Sequence, residues 1–173
     1  MDRHWLSGEV MMIRPVNTGD ARDICGIYNY FVENTAVSFE EEPVPLPEME
    51  SRIRAISAAY PWFVREEGGA VLGYAYANRF RDRAAYRYTV ELSIYVKSGH
   101  EGQGIGGGLF ARLLEAMKKS PVHALVSGIT VPNERSVKLH EKFGFVNVAL
   151  FSETGYKLGR WHDVGYWELV LKK

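Results

Sequence analysis

Between Val90 and Gly108 the sequence reads VELSIYVKSGHEGQGIGGG, a strand that runs through a glycine-dense loop into a helix. No other stretch constrains the fold as strongly. Val90, Leu92, Ile94 and Val96 alternate with Glu91, Ser93 and Tyr95, so one strand face is apolar and the other carries polar groups. From about Ile105 the spacing changes, and Leu109, Leu113, Leu114 and Met117 recur on one side of a helix. Glycines let backbone N–H groups approach an anion, and the free N–H groups and dipole of the helix start add to that attraction. The segment Gly102–Gly107 is therefore a candidate seat for a phosphate or pyrophosphate.

Several phosphate-bearing ligands use such a loop. Gly102, Gly104 and Gly107 satisfy G-x-G-x-x-G, but a dinucleotide site also wants an acidic residue about 20 positions on, to hold the ribose. From Ala116 to Asn133 there is no Asp or Glu, and no βαβ start precedes the motif. A nucleoside-triphosphate loop needs Gly-Lys-Ser/Thr, whereas Gly107 is followed by Gly108-Leu109. The bland alternative is a glycine turn that only tightens a strand–helix junction.

The rest of the chain supplies one mixed sheet with helices. A first strand is expected over Glu9–Arg14, closed by Pro15, and then a helix capped by Asn17 or Thr18 with Ile24, Ile27, Tyr28 and Phe31 at helical spacing. A second helix starts near Pro47 and buries Met49, Ile53 and Ile56. Phe63–Arg65 and Ala70–Leu72 read as a hairpin around Glu-Glu-Gly-Gly, and Tyr86–Val96 as the strongest strand. Ala124–Val131 is a further strand. A short helix runs from an Asn133 cap to a Gly144 stop, and two strands lie around Phe145–Phe151 and Val164–Leu171. The order is β-α-α-β-β-β-α-β-α-β-β, an α/β (α+β) fold with a mixed central sheet, not the regular alternation of a doubly wound protein. With 173 residues and no repeat or linker, residues 1–173 are expected to be one domain.

Charge narrows the partners. Lys+Arg and Asp+Glu both total 21, so nothing general draws the chain to nucleic acid or to an anionic membrane. The same neutrality fits self-association. The single cysteine, Cys25, excludes an internal disulfide framework and a cysteine-based zinc site, and His100, His123 and His162 show no ligand spacing, so no metal is expected. No apolar run reaches the roughly 20 residues of a membrane span. The N-terminus has no apolar signal stretch, and a cytoplasmic protein is expected.

At this level of detail the chain resembles the GNAT superfamily of N-acetyltransferases. The strand, Gln103-Gly104-Ile105-Gly106 and the following amphipathic helix look like its acetyl-coenzyme A motif. Within the superfamily the chain resembles the phosphinothricin and methionine sulfone/sulfoximine acetyltransferases over almost its whole length. The resemblance includes Ile13-Arg14-Pro15, Tyr28-Asn29, Ser38-Phe39, Tyr60-Pro61-Trp62, Gly73-Tyr74-Ala75-Tyr76-Ala77, Thr89-Val90-Glu91, Leu139-His140-Glu141 and Gly159-Arg160-Trp161-His162-Asp163. One position departs: the superfamily loop opens on Gln or Arg, and here it opens on Glu101, whose carboxylate must turn away from a pyrophosphate.

The resemblance implies acetyl-coenzyme A as co-substrate and a small amine as acceptor. Ile94, Tyr95 and Val96 would bind the amide arm of the cofactor and Gly102, Gln103, Gly104, Ile105, Gly106 and Gly107 its pyrophosphate, with Asn133 and Ser136 beside it. Asn133 is equally a helix cap. Glu91 is the candidate base, set against the reading of a solvent-facing strand glutamate. A free carboxylate of pKa about 4.3 is a weak base for an ammonium, so it needs desolvation or a water relay. His140 shares a helix stripe with Asn133 and Ser136 and could serve as acid, as base or as core packing. The resemblance places the acid groups of the substrate near Arg81, Arg83 and Tyr86, with Phe39, Leu92 and Ser93 lining the pocket; in isolation an arginine-rich loop is a solvated loop. The resemblance also implies a homodimer. The competing readings are a protein or peptide acetyltransferase and a coenzyme A-binding protein without transfer activity.

Overall fold

The computed structural model describes residues 12–171. Its elements are β1 (Met12–Pro15), a 3-10 turn (Thr18–Asp20), α1 (Ala21–Asn34), α2 (Leu46–Ser57), β2 (Trp62–Glu67) and β3 (Ala70–Arg79). A second 3-10 turn (Ala84–Tyr86) leads to β4 (Thr89–Val96), α3 (Ile105–Lys118), β5 (Ala124–Val131), α4 (Glu134–Lys142), β6 (Val146–Lys157) and β7 (Arg160–Val170). All seven strands form one sheet in the order β1-β2-β3-β4-β5-β7-β6. Residues 9–11 of the expected first strand lie outside the described residues.

Local chemistry accounts for most of these boundaries. Asn17 accepts from the Gly19 N–H while the Asp20 carboxylate accepts from the Asn17 N–H, a reciprocal cap that opens α1 through its 3-10 turn. Arg14 grips both oxygens of Asp20 at 2.8 and 2.7 Å and thereby ties β1 to that cap. Gly68 and Gly69 both adopt positive φ, as a two-residue hairpin between right-twisted strands requires.

Three boundaries differ from the sequence reading. Glu66 and Glu67 belong to the β2–β3 ladder rather than to its turn, and β3 continues to Arg79. The expected strand over Tyr86–Val96 begins at Thr89, because the β3–β4 ladder ends at Arg79↔Val90 and Ala84–Tyr86 coils into the 3-10 turn. The last two strands are longer than expected and meet in a tight turn at Leu158-Gly159, both at positive φ. The polar segment Ser152–Lys157 hides that extension in the sequence.

Helices cover both faces of the sheet. Leu109, Phe110, Leu113, Leu114 and Met117 of α3 pack on Val90, Leu92, Leu125, Phe145 and Trp167. On the opposite face Ile24 and Ile27 of α1 and Met49 and Ile53 of α2 pack on Trp62, Val64, Val71 and Tyr74. Gly73 permits the close approach of α3, since a Cβ there would stand 3.0 Å from both Ile105 Cγ2 and the Tyr95 carbonyl.

Candidate active site

The site begins where the sheet fails to close. Among the described residues β4 and β5 are the only parallel neighbours, and they pair only over Thr89–Glu91 and Ala124–Val126. Beyond that the strands no longer pair, and the Ser127 hydroxyl reaches across, donating to the Leu92 carbonyl at 3.4 Å. The unpaired ends of β4 and β5 border a cleft of about 900 Å³.

The phosphate loop forms one wall of that cleft. Gly102 and Gly104 stand at φ of 78° and 80°, a region that favours glycine, and Gly104 directly precedes α3. A Cβ at Gly102, Gly104 or Gly107 would meet nothing within 4 Å, so backbone rather than side chain faces the opening. Ile94, Tyr95, Val96, Gly102, Gly104, Ile105, Gly106, Gly107, Asn133 and Ser136 all line the cleft, whereas Gln103 does not and is exposed. Asn133 also caps α4, accepting from the Ser136 N–H at 3.2 Å. Glu101 turns its carboxylate onto the Gly99 N–H at 2.9 Å and toward Arg135 at 3.7 Å.

Glu91 stands at the last rung before the strands part, opposite Val126. Burial pushes its carboxyl above the ordinary value, and the Arg81 guanidinium partly opposes that rise. Arg81 lies over the Phe80 ring, 4.9 Å from its centroid, with the Tyr86 ring 5.9 Å away. Arg83 is exposed in the same turn. Ser93 stands opposite Tyr76 in the β3–β4 ladder, on the Glu91 side of the sheet.

Two expected site residues are placed elsewhere by their packing. Leu92 is buried in the α3 core, because strand alternation sends its side chain to the face away from Glu91. His140 does not line the cleft. It is 2% exposed, its Nδ1–H donates to the Ser136 carbonyl at 2.8 Å, and Phe110 and Phe145 hold the ring at 4.8 and 5.3 Å. Burial lowers its pKa and keeps the imidazole neutral.

Other lining residues escaped the sequence reading. Thr35, Ala36 and Val37 come from the loop after α1, Thr130 from β5, and Leu158 and Arg160 from the tip of the β6–β7 hairpin; His162 of the same hairpin, read from the sequence as bordering either the pocket or a subunit contact, also lines the cleft. That hairpin arrives from the far end of the chain, and nothing local marks it. Phe39 rests on the same hairpin, its ring 6.2 Å from that of His162.

A seven-stranded mixed sheet, one parallel pair that parts and a glycine loop at a helix start agree with one family description. The acetyltransferase (GNAT) domain matches residues 13–165. The chain belongs to the GNAT acetyltransferases. This GNAT enzyme is 38% identical to a phosphinothricin N-acetyltransferase of Streptomyces viridochromogenes, over 90% of this chain and 85% of the relative. It is 36% identical to an L-methionine sulfoximine/L-methionine sulfone acetyltransferase of Salmonella typhimurium, over 93% and 95% of the two chains. A solved Salmonella typhimurium acetyltransferase with its cofactor acetyl-CoA superimposes with a TM-score of 0.92 at 35% identity, covering 95% of each chain. Among the described residues no helix is long and apolar enough to cross a membrane, and no group of three or more His, Cys, Asp or Glu is placed to hold a metal ion.

Proposed function

We propose that this acetyltransferase moves the acetyl group of acetyl-coenzyme A to the α-amino group of a small amino-acid-like substrate, of the phosphinothricin, methionine sulfone or methionine sulfoximine type. The observation that carries the reading is Glu91, half-buried at the point where β4 and β5 part, on the strand whose Ile94–Val96 line the cleft, and under the field of Arg81. The cofactor's pantetheine arm lies along Ile94–Val96, and its pyrophosphate meets the open amides of Gly102–Gly107 and the start of α3. Arg81, with Arg83 and Tyr86 in the same turn, meets the substrate's carboxylate or phosphinate, for which a planar guanidinium is well shaped.

The substrate arrives as an ammonium. Glu91 removes one proton, directly or through a water, and burial suits it to this task by making its carboxylate more basic. The freed amine nitrogen attacks the thioester carbonyl carbon. The C–S bond then breaks, the nitrogen sheds its second proton, and the coenzyme A thiolate takes up one proton to leave as thiol. The amine attacks the bound thioester directly, with no acyl-enzyme: Cys25 is buried, and its Sγ lies 3.0 Å from the Val44 carbonyl. His140 acts on this reading from behind, as the neutral packing residue that seats α4 against α3.

Self-association has its own support. Val146, Val148, Leu150, Phe151, Tyr156 and Trp161 of the β6–β7 pair are each more than half exposed, and a second copy of the chain covers them in the proposed homodimer. Sedimentation of the wild type against Leu150→Glu tests that part.

The transfer itself is tested by thiol release from acetyl-coenzyme A against phosphinothricin, methionine sulfone, methionine sulfoximine, the common amino acids, a polyamine and a lysine peptide. Release with the amino-acid-like amines is expected. Release with the peptide alone moves the function to protein modification, and silence with every amine overturns the transfer.

A further inference from the structure

The face of the sheet that carries Glu91 has a feature outside the known motifs. Val126 pairs with Glu91, so Val126, Gly128 and Thr130 of β5 share its face, while Leu125 and Ile129 enter the α3 core. On β7 the residue opposite Gly128 is Tyr166, which therefore lies on the Glu91 face, whereas Trp167 turns to the α3 core. A Cβ built on Gly128 would stand 3.3 Å from Tyr166 Cε1, 3.5 Å from its Cζ and 3.6 Å from Glu91 Oε1. One point just above the Gly128 backbone is thus in contact with both the carboxylate and the tyrosine ring.

Glycine is not needed there for the backbone, since Gly128 is absent from the positive-φ residues. Its position is exposed, in a strand whose other residues are buried or half-buried. Glycine inside a strand weakens it, and it is kept where another group must come close to the backbone. Thr130, two residues on along the same face, already lines the cleft. The Tyr166 hydroxyl makes no hydrogen bond among the described residues.

We propose that Gly128 and Tyr166 form the seat of the attacking amine: the substrate nitrogen rests in van der Waals contact on the bare Gly128 backbone, on the side where a side chain would project, between the Glu91 carboxylate and the Tyr166 ring. Gly128 sets the clearance, and Tyr166 is the wall that keeps the nitrogen against the carboxylate. A nitrogen resting on the Gly128 backbone there faces the Glu91 carboxylate, and Thr130, on the same face of β5, lines the cleft. The inference rests on the proposed amine acetylation and names the two residues that position the amine.

The test is steady-state kinetics of Gly128→Ala, Tyr166→Ala and the double variant, with whichever amine the wild type accepts. An added methyl at 128 is expected to lower kcat/KM for the amine about tenfold to a hundredfold, the scale of an angstrom-sized misplacement. The KM for acetyl-coenzyme A and the melting temperature should stay near wild type, which a merely structural role would not produce. Tyr166→Ala raises the amine KM. In the double variant the loss is less than the sum of the two, because removing the ring gives back the space that the methyl takes. Gly128→Ala with unchanged amine kcat/KM in an active enzyme overturns this inference alone. A wild type silent on every free amine overturns the proposed function and this seat with it.

Discussion

The Lys157 ammonium donates a 2.6 Å hydrogen bond to the Ser38 carbonyl, 119 residues away in the chain. Lys157 is 4% exposed, and desolvation lowers its pKa although Glu40 and Glu41 act to raise it. The bond fastens the loop between α1 and α2 onto the tip of the β6–β7 hairpin. Phe39, the next residue of that loop, lies over Gly155, where a Cβ would overlap its ring. His162 completes the junction by donating from Nε2 to the Lys157 carbonyl at 2.9 Å.

Lys157→Met therefore loosens the Phe39 wall without removing any group from the cofactor cleft. Leaving the Ser38 carbonyl unpaired costs about 1–3 kcal/mol, set against relief of the buried charge. The amine KM is expected to rise about tenfold, as for lost positioning of a substrate wall, with the acetyl-coenzyme A KM close to wild type. Equal changes in both constants would show that the junction does not act on the amine site.

The acid limb of the pH profile reports Glu91. Its pKa is raised in the folded enzyme, so kcat/KM for the amine falls as the pH drops through a value above the ordinary 4.5 of a glutamate. Arg81 favours the ionised form, so Arg81→Gln shifts this limb to still higher pH. Glu91→Gln removes the limb and lowers kcat about 10²- to 10⁴-fold, the usual weight of a general base, with acetyl-coenzyme A affinity retained. A limb that stays in place in Arg81→Gln would show that the arginine does not act on this carboxylate.

His140 couples stability to pH. Its folded pKa lies below the 6.5 of a free imidazole, so between those two values the unfolded chain holds more protons than the folded one. Stability is complete above 6.5 and is lost as the pH falls through 6.5 toward the folded pKa. Thermal melts of wild type and His140→Gln between pH 8 and 5 should therefore converge on acidification, because the variant has no imidazolium to desolvate. Parallel melting curves across that range would refute the assignment.

Glu101 offers a gain rather than a loss. Its carboxylate stands at the cleft wall and shares Arg135, so Glu101→Gln removes a negative charge and frees a positive one. Acetyl-coenzyme A should bind about two- to fivefold more tightly, the scale of a partly exposed charge interaction. Raising the salt concentration should shrink the difference. Titration calorimetry at two ionic strengths measures both.

Features that depend on near neighbours were legible in the sequence. The alternation of Val90–Val96, the glycine loop into α3 and the Asn133 cap follow from a few adjacent residues, and the structure puts them on one cleft. Zero net charge and a lone cysteine likewise belong to composition alone. Other features exist only after distant segments meet. The parting of β4 from β5 exists only once the two strands lie side by side, and the Lys157–Ser38 bond joins residues 119 positions apart in the chain. His140 shows the limit most clearly: its spacing places it on a stripe with Asn133 and Ser136, but Phe110 and Phe145 decide that it points into the core. Gly128 is mute as a letter, and it acquires meaning from Glu91 on one neighbouring strand and Tyr166 on the other. Backbone propensity and periodicity are local energies carried by the sequence, whereas burial and the field around a charge are sums over whatever the fold brings near.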